Sequence, residues 1–209
     1  VSFQNKKYRG ILRLIAVNNR LSVINELPLE DYIKGVVPME MGVAASEKRY
    51  EALKAFTIAA RTYAVMNLKT RNTFDVFSDV RDQVYGGAGS ERVLTNKAVN
   101  ETKNLILRHN QTNATVFYHA SCGGSTEDVG NVFSRGNIPY LKEINDGNPP
   151  NCNISQTFNW NETYSEKDII SFLFKENYID NQSYSFEDIK IISRLPSGRV
   201  NELQILLDQ

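Results

Sequence analysis

Residues 8–27 alternate between apolar and polar positions on either side of two asparagines. Apolar positions at 11–15 precede Asn18 and Asn19, and others at 21–24 follow them. Alternation with a period of two is typical of a β-strand, and asparagine tolerates the left-handed backbone conformation of a tight turn. The pattern therefore predicts a β-hairpin over residues 8–27.

A helical pattern begins at Pro28, since proline is favoured at the first position of a helix. Four apolar residues then recur at helical spacing, namely Leu29, Tyr32, Ile33 and Val36. Gly35 and Pro38 disfavour continuation, because proline lacks the backbone N–H and restricts the residue before it. We expect this first helix to end near Val37.

The strongest helical pattern runs from Ser46 to about Leu68, with Ser46 as the capping residue. Residues 71–91 are polar and include several glycines, which predicts a long loop. A third helix is expected from Arg92 to Lys103.

The next segment is predicted to form a second hairpin. A strand at 105–109 precedes a polar turn at 110–113, and a return strand occupies 115–120. Loops are expected at 121–126 and 145–153, where glycine, asparagine and proline cluster.

The C-terminal part has one helical pattern and two extended segments. Ser165 is the expected cap of a helix at 166–176, and the extended segments cover 186–207 with a turn at 196–198. Helices and strands are mixed without a regular βαβ alternation, which favours an α+β fold in a single domain over residues 1–209.

Composition and charge exclude several classes of protein. The 209 residues carry 24 basic and 24 acidic side chains, and this balance disfavours a dedicated nucleic-acid-binding protein. A hydrophobic content of 41% excludes a disordered chain, and no apolar run approaches the ~18 residues that a membrane span needs. The chain starts at Val1 without an apolar leader and stops within an extended segment, so we expect it to be trimmed at both ends.

Glu40 is the first candidate for chemistry. It follows Pro38 and lies between Met39 and Met41, in an expected break between two helices. Apolar surroundings favour the protonated form of a carboxyl group, which is the form a general acid needs. The structural alternative is a glutamate stabilised by the dipole at a helix N-terminus.

Arg61 and a polar loop provide further candidates. Arg61 lies in an alanine-rich helix and needs a partner for its charge, which could be a substrate group or a structural carboxylate. Gln83 and Tyr85 lie in a loop with many donors and acceptors and one aromatic ring. That composition suits a sugar site and an ordinary polar loop alike. No glycine motif of the phosphate-binding kind occurs.

Cys122 and Cys152 leave three possibilities open. A disulfide between them would stabilise the fold by roughly 3–4 kcal/mol on the loop-entropy model. Cys122 and His119 could instead form a nucleophilic pair. Zinc bound by His119, Cys122 and Cys152 is the third possibility, although it lacks an evident fourth ligand. No other cofactor is expected.

Five segments in order resemble the SpoIID/LytB family of bacterial cell-wall proteins. They are Leu27–Met41, Glu51–Ala64, Asp82–Gly87, His119–Thr126 and Pro139–Leu141. Their order and spacing match the family along residues 10–207. Gly42 is a departure, because the family often has proline after the Glu-Met pair. The family's glycine- and histidine-rich segment is also absent from the given sequence.

The resemblance implies a lytic transglycosylase that cleaves the glycan strands of peptidoglycan, with Glu40 as the catalytic acid. Such an enzyme needs one carboxylate, because the C6 hydroxyl of MurNAc attacks C1 of the same sugar and leaves a 1,6-anhydroMurNAc end. The implied walls of the substrate groove are Arg61, Gln83, Tyr85, His119, Ser121, Gly123, Gly124 and Thr126.

The resemblance also implies a location and partners. Peptidoglycan lies outside the cytoplasm, so the chain is expected there, with the membrane reached only through an anchor outside the given sequence. Some relatives are described as enhancers of a cell-wall amidase. The alternative function is therefore a non-catalytic, glycan-binding modifier of such a hydrolase.

Overall fold

The computed structural model describes residues 1–17, 19–42, 46–69, 71, 73–133 and 136–208. Helices and short antiparallel strand pairs are mixed along the chain, which confirms the α+β prediction. The sequence favoured one domain over residues 1–209, and the structure divides that range into two compact units, Val1–Tyr118 and His119–Gln209. They are called unit 1 and unit 2.

Unit 1 begins with two antiparallel strand pairs. Strands β1 (Ser2–Phe3) and β2 (Lys6–Lys7) form the first pair, and β3 (Ile11–Val17) and β4 (Arg20–Glu26) form the second. The second pair is the predicted hairpin. Asn19 adopts a positive φ of 60°, as expected for its turn, whereas Asn18 lies outside the described residues.

Helix α1 spans Leu29–Met41, so the predicted end near Val37 is wrong. Pro38 lies inside the helix and removes a single hydrogen bond, the one its missing N–H would donate one turn back. The neighbouring Gly35 carbonyl accepts hydrogen bonds from the backbone N–H of Gly86 and the hydroxyl of Ser90, both at 3.1 Å, and these bonds tie this part of the helix to the following loop. Gly42 ends the helix, with a φ of 48° and its N–H directed to the Pro38 carbonyl.

Helices α2 (Tyr50–Met66) and α3 (Val93–Glu101) pack against α1. A short 3-10 turn at Glu47–Arg49 precedes α2, and Ser46 makes no side-chain capping bond there. The three helices bury a common apolar core, which consists of Tyr32, Ile33, Val36, Val37, Leu53, Ala64, Ala98 and Val99.

The hairpin predicted around residues 105–120 is shorter in the structure than expected. It pairs β5 (Arg108–His109) with β6 (Thr112–Asn113). The two turn residues, Asn110 and Gln111, have φ values of 45° and 66°, which fits a type I′ turn. Residues 115–120 do not form the expected return strand.

In unit 2, the described residues form two α-helices, a short 3-10 helix at Asn151–Ile154 and one long hairpin. Helix α4 is a single turn at Val129–Val132, which the sequence did not predict, and α5 spans Glu166–Lys175 as expected. Ser165 and its partner Asp168 form a capping box at the start of α5. Strands β7 (Ser185–Arg194) and β8 (Val200–Asp208) form the predicted C-terminal hairpin.

No helix within the described ranges is both long enough and apolar enough to span a bilayer.

Candidate functional site

Glu40 lies in the last turn of α1, where the helix meets Gly42. Its side chain is half-buried, and its Oε1 atom accepts a hydrogen bond of 2.7 Å from the backbone N–H of Val84. The second oxygen, Oε2, has no hydrogen-bond partner among the residues that the structure describes. One oxygen is therefore fixed by the backbone, and the other is available for a ligand.

The position of Glu40 rules out the structural alternative that the sequence left open. A carboxylate is favourable at the N-terminus of a helix, where the macrodipole is positive, and unfavourable in the last turn, where it is negative. Glu40 occupies the last turn, so helix stability does not account for a carboxylate there. The expected break between helices is also absent on the N-terminal side, because α1 continues through Pro38 to Met41.

Two phenols lie in the electrostatic environment of Glu40. Burial raises the pKa of Tyr32 and Tyr118 well above the usual value for tyrosine, and the charge of Glu40 adds to that increase in both cases. Both hydroxyls therefore stay protonated across the physiological range. Two neutral phenols therefore belong to the electrostatic environment of Glu40.

Asp82 anchors the loop that approaches Glu40. Its side chain is 3% exposed and forms a salt bridge of 3.1 Å with Arg71. It also accepts hydrogen bonds from the Tyr63 hydroxyl at 3.0 Å and from the backbone N–H of Phe77 at 2.7 Å. All of these partners belong to unit 1, so Asp82 holds the loop against α2 and is not itself a free carboxylate.

Gln83 is fully buried, so its side chain does not form an open wall as predicted. Its amide oxygen accepts a hydrogen bond of 3.2 Å from Tyr32, and its amide nitrogen donates to the Ala60 carbonyl at 3.2 Å and to Tyr118 at 3.0 Å. Each polar atom of the amide has a partner, as a buried amide requires.

The sequence left two possible partners for Arg61, a substrate group or a structural carboxylate. In the structure Arg61 pairs with a structural carboxylate. Its guanidinium is 1% exposed and makes two hydrogen bonds of 2.9 Å with the carboxylate of Glu30, in the first turn of α1. Further bonds go to the carbonyls of Leu105 and Val99. Because the guanidinium is enclosed and its donors are used, the geometry gives Arg61 a structural task.

Tyr85 packs inward. Its ring lies 5.3 Å from the ring of Tyr32, and its hydroxyl donates a hydrogen bond of 3.2 Å to Asn25 on β4. Burial raises the pKa of Tyr85 to about 12. Gly35 permits this close packing, because a Cβ atom there would stand 2.2 Å from the ring.

The other predicted groove residues belong to unit 2. His119 and Gly123 are exposed, and the Ser121 hydroxyl accepts a weak bond of 3.4 Å from the Gly123 backbone. Gly124 has a φ of 105°, and its carbonyl accepts a hydrogen bond of 2.9 Å from Asp146. Thr126 pairs through its backbone and hydroxyl with residues 142–144. These contacts order the loop within unit 2.

Cys122 and Cys152 are in contact, with their Sγ atoms 3.2 Å apart and no covalent bond between them. Burial and the neighbouring sulfur raise the pKa of the Cys122 thiol. Burial is also the largest single influence on Cys152 and acts in the same direction, but hydrogen bonds with Cys122, the Gly124 backbone and Ser121 together lower the pKa of Cys152. The predicted disulfide stays a prediction. An intact mass two hydrogens below that of the reduced chain would support it, and two free thiols would refute it.

The two sulfurs also form a three-residue group with Asp146, whose ligand atoms all lie within 4.8 Å of one another. Sulfur and carboxylate ligands suit zinc. His119 is not part of this group within the described residues, so the structure does not bring together the three ligands considered from the sequence, and zinc binding stays untested. Asp146 was missed because it lies in a loop whose path the sequence does not define.

The fold and these contacts define an α+β protein whose unit 1 holds one partly free carboxylate at the end of a helix. Residues 17–109 match the family described as SpoIID, stage II sporulation protein, and the comparisons support the assignment of the chain to this family. The matched range includes the whole of α1, α2 and α3 and the loop that contacts Glu40.

Three curated relatives support the assignment. An uncharacterised protein of Brachyspira hyodysenteriae is 39% identical over 138 residues, which are 65% of this chain and 36% of that protein. The amidase enhancer of Bacillus subtilis is 33% identical over 178 residues, 77% of this chain and 24% of the relative. Stage II sporulation protein D of Bacillus subtilis is 30% identical over 155 residues, 65% of this chain and 44% of the relative. The chain spans less than half of each relative.

Proposed function

We propose that this protein is a peptidoglycan lytic transglycosylase with Glu40 as its general acid and base. The observation that carries the proposal is the carboxylate of Glu40, which has one oxygen held by the Val84 N–H and the other without a partner among the described residues. A proton donor must be fixed in place and must also reach its substrate. Glu40 meets both requirements.

The acidic side chains near Glu40 favour this reaction over ordinary hydrolysis. Glycoside hydrolases use two carboxyl groups, one on each side of the bond that is cleaved. Asp82 is the other acidic group whose charge acts on the same tyrosines. It is buried and paired with Arg71, so it is a poor nucleophile or base. A reaction that needs one carboxyl group fits this arrangement.

The proposed step conserves all atoms of the substrate. Glu40 gives its proton to the oxygen that links C1 of MurNAc to GlcNAc, and the C1–O bond breaks. The C6 hydroxyl of the same MurNAc then forms a bond to C1 and transfers its proton to Glu40. The products are a free GlcNAc hydroxyl and a 1,6-anhydroMurNAc end, and the acid is regenerated without water.

The family match supports the setting of this reaction. The stage II sporulation protein D relative and the family description connect the chain to sporulation, and we place the protein with peptidoglycan outside the cytoplasm. Glycan strands are the proposed substrate. The reaction requires no metal in this scheme, and the cysteine group of unit 2 takes no part in it.

One observation favours a second candidate function. The amidase enhancer matches 77% of this chain, more than the other relatives described above. A protein of that type would bind glycan and stimulate a separate cell-wall amidase. Glu40 would then contribute to shape or binding and would not transfer protons.

The two functions are separated by one experiment on wild-type protein and Glu40→Gln. Purified glycan strands, with and without stem peptides, are incubated with each protein, and the products are analysed by mass spectrometry. We expect anhydro-ended products from the wild type and their loss from the variant. Absence of such products from the wild type, together with equal stimulation of a purified amidase by both proteins, would favour the second function.

A further inference from the structure

Three consecutive residues, Asp82, Gln83 and Val84, connect the core of unit 1 to the carboxylate of Glu40. We propose that Gln83 is a positioning residue, which fixes the Val84 N–H so that this donor orients Glu40. The inference rests on the proposed function, because it assigns a role in holding the acid of that reaction. It also replaces the groove-wall role that the sequence suggested for Gln83.

The buried amide of Gln83 is bound to three separate parts of unit 1. Its contacts reach Tyr32 on α1, the Ala60 carbonyl on α2 and the hydroxyl of Tyr118. The side chain is 0% exposed, so it cannot touch a substrate directly. An amide with every polar atom paired in three directions leaves its own backbone little freedom to shift.

The residues on both sides of Gln83 are also fixed. Asp82 is held by Arg71, Tyr63 and the backbone of Phe77, as described above. After Val84, the N–H of Tyr85 donates to the Ser78 carbonyl at 3.2 Å. The Val84 N–H is therefore set between fixed residues.

The segment that contains Val84 is also hydrogen-bonded to α1 itself. The N–H of Gly86 donates to the Gly35 carbonyl, and the N–H of Val84 donates to Glu40. Alternate amides of one short segment therefore bind two successive turns of the same helix. A shift of this segment would therefore move the donor of Glu40.

Small displacements of this kind matter for catalysis. A misplacement of about 1 Å in a catalytic group can reduce the rate ~10²-fold. Because Gln83 is buried, its loss should lower kcat and leave KM nearly unchanged. A residue that contacted the substrate would change KM as well.

The dependence of rate on pH gives a second measure. An N–H that donates to a carboxylate interacts more strongly with its charged form, so loss of the donor should make the pH profile of the rate differ from that of the wild type. Glu40 interacts electrostatically with Tyr32 from α1 and with Tyr118, and the same two phenols also interact with Tyr63 from α2 and Asp82 from the loop. Burial raises the pKa of Tyr32 and Tyr118 far above the range in which a carboxyl group titrates, and the salt bridge between Asp82 and Arg71 does not involve the side chain that the variants change.

The experiment compares Gln83→Leu with a control variant and with a backbone change. Thr95→Val is the control, because Thr95 is 1% exposed and its hydroxyl donates to the Arg92 carbonyl on α3, away from the segment. Replacement of the Val84 amide by an ester removes the N–H and keeps every side chain, so it covers the case in which Gln83→Leu does not fold. The amide proton of Val84 is followed by NMR as pH changes.

We expect kcat to fall ~10–10²-fold in Gln83→Leu and in the ester protein, with KM within about twofold of the wild type. We also expect the Val84 amide proton of the wild type to titrate with Glu40, and Gln83→Leu to weaken that response. The proposal is overturned if kcat, the pH profile and the Val84 response of Gln83→Leu all match those of Thr95→Val. A rate in the ester protein equal to that of the wild type would also overturn it.

Failure of the proposed function gives a different result. If the wild type makes no anhydro product, the transglycosylase function is refuted. If the Val84 amide of the same protein nevertheless titrates with Glu40, and this response is lost in Gln83→Leu, the positioning role is supported. The NMR measurement needs no substrate, so the two failures are distinguishable.

Discussion

The two ends of α1 each present a glutamate, and the two residues are held in opposite ways. Glu30 lies in the first turn and makes two bonds of 2.9 Å with the enclosed guanidinium of Arg61. Glu40 lies in the last turn and receives one N–H, from Val84. The helix dipole stabilises the first carboxylate and opposes the second.

This difference separates structural from chemical use of the same side chain. The contacts of Glu30 account for its presence, since it neutralises a buried charge that would otherwise be costly. The contacts of Glu40 do not, because a carboxylate with one donor at the negative end of a helix adds little stability. Stability does not explain why a carboxylate occupies position 40, whereas the neighbouring polar side chains are fully hydrogen-bonded. Such a residue is a good candidate for a catalytic role.

The largest effect is expected from Glu40→Gln. The amide keeps the shape of the side chain and removes the transferable proton, so turnover should fall ~10²–10⁴-fold. The midpoint of urea denaturation should stay close to that of the wild type, because Gln can still accept from Val84. Initial rates on glycan strands and a denaturation curve measure the two properties. A large loss of stability would show that the two ends of α1 do not differ as described.

Arg61→Met tests the other end of the helix. Removing one partner of a buried pair leaves Glu30 without its cation, and the free energy of unfolding should fall by about 3–5 kcal/mol. Arg9→Met is the matched control, because Arg9 pairs with Glu91 but is 45% exposed at its side chain. Its loss should cost about 1 kcal/mol or less. Equal losses in the two variants would contradict the structural role of Arg61.

Gly35→Ala should affect both properties at once. The new methyl group would meet the ring of Tyr85, which must move away from α1 together with the segment that carries Val84. Overpacking of this kind costs about 1–3 kcal/mol. Gly89→Ala is the control, because a Cβ atom at Gly89 has nothing within 4 Å. A neutral result for Gly35→Ala in both denaturation and rate would argue against close packing near Glu40.

The smallest effect concerns an ordinary helix start in unit 2. Ser165→Ala removes the capping box of α5 and should lower stability by about 1 kcal/mol. Ser46→Ala should have almost no effect, since Ser46 makes no side-chain capping bond. Thermal denaturation of both variants makes the comparison. The two serine variants together measure how much a helix cap contributes to the stability of this protein. The contribution of the Glu30–Arg61 ion pair can then be compared with that value.

Local sequence signals predicted the parts of the fold that depend on local contacts. The hairpin turn around Asn19 and the Ser165 cap follow from the preferences of single residues, and both were confirmed. The end of α1 was wrong, because the single hydrogen bond lost at Pro38 does not end a helix that is also held by donors from Gly86 and Ser90 to its Gly35 carbonyl. Those donors lie about 50 residues away, where the sequence pattern carries no information.

The same limit applies to the site. Glu40 stood out because its local surroundings are apolar, and the family motif marks it. Its donor at Val84 lies 44 residues further along the chain, and the partner of Arg61 lies 31 residues away, so neither pairing was predicted. Gln83 was noticed for its polarity, whereas its burial results from three tertiary contacts.

The way the C-terminal part of α1 is held has a consequence for the order in which the protein is made. A nascent chain that ends before Val84 already contains Glu40, but it lacks the N–H that orients the carboxylate and the donors that support the Gly35 carbonyl. Local helices form in less than a millisecond, whereas these later residues leave the ribosome at ~5–20 residues per second. The acid therefore spends seconds without its orienting donor during synthesis. Its geometry is completed only when the loop between α2 and α3 has been translated and has docked.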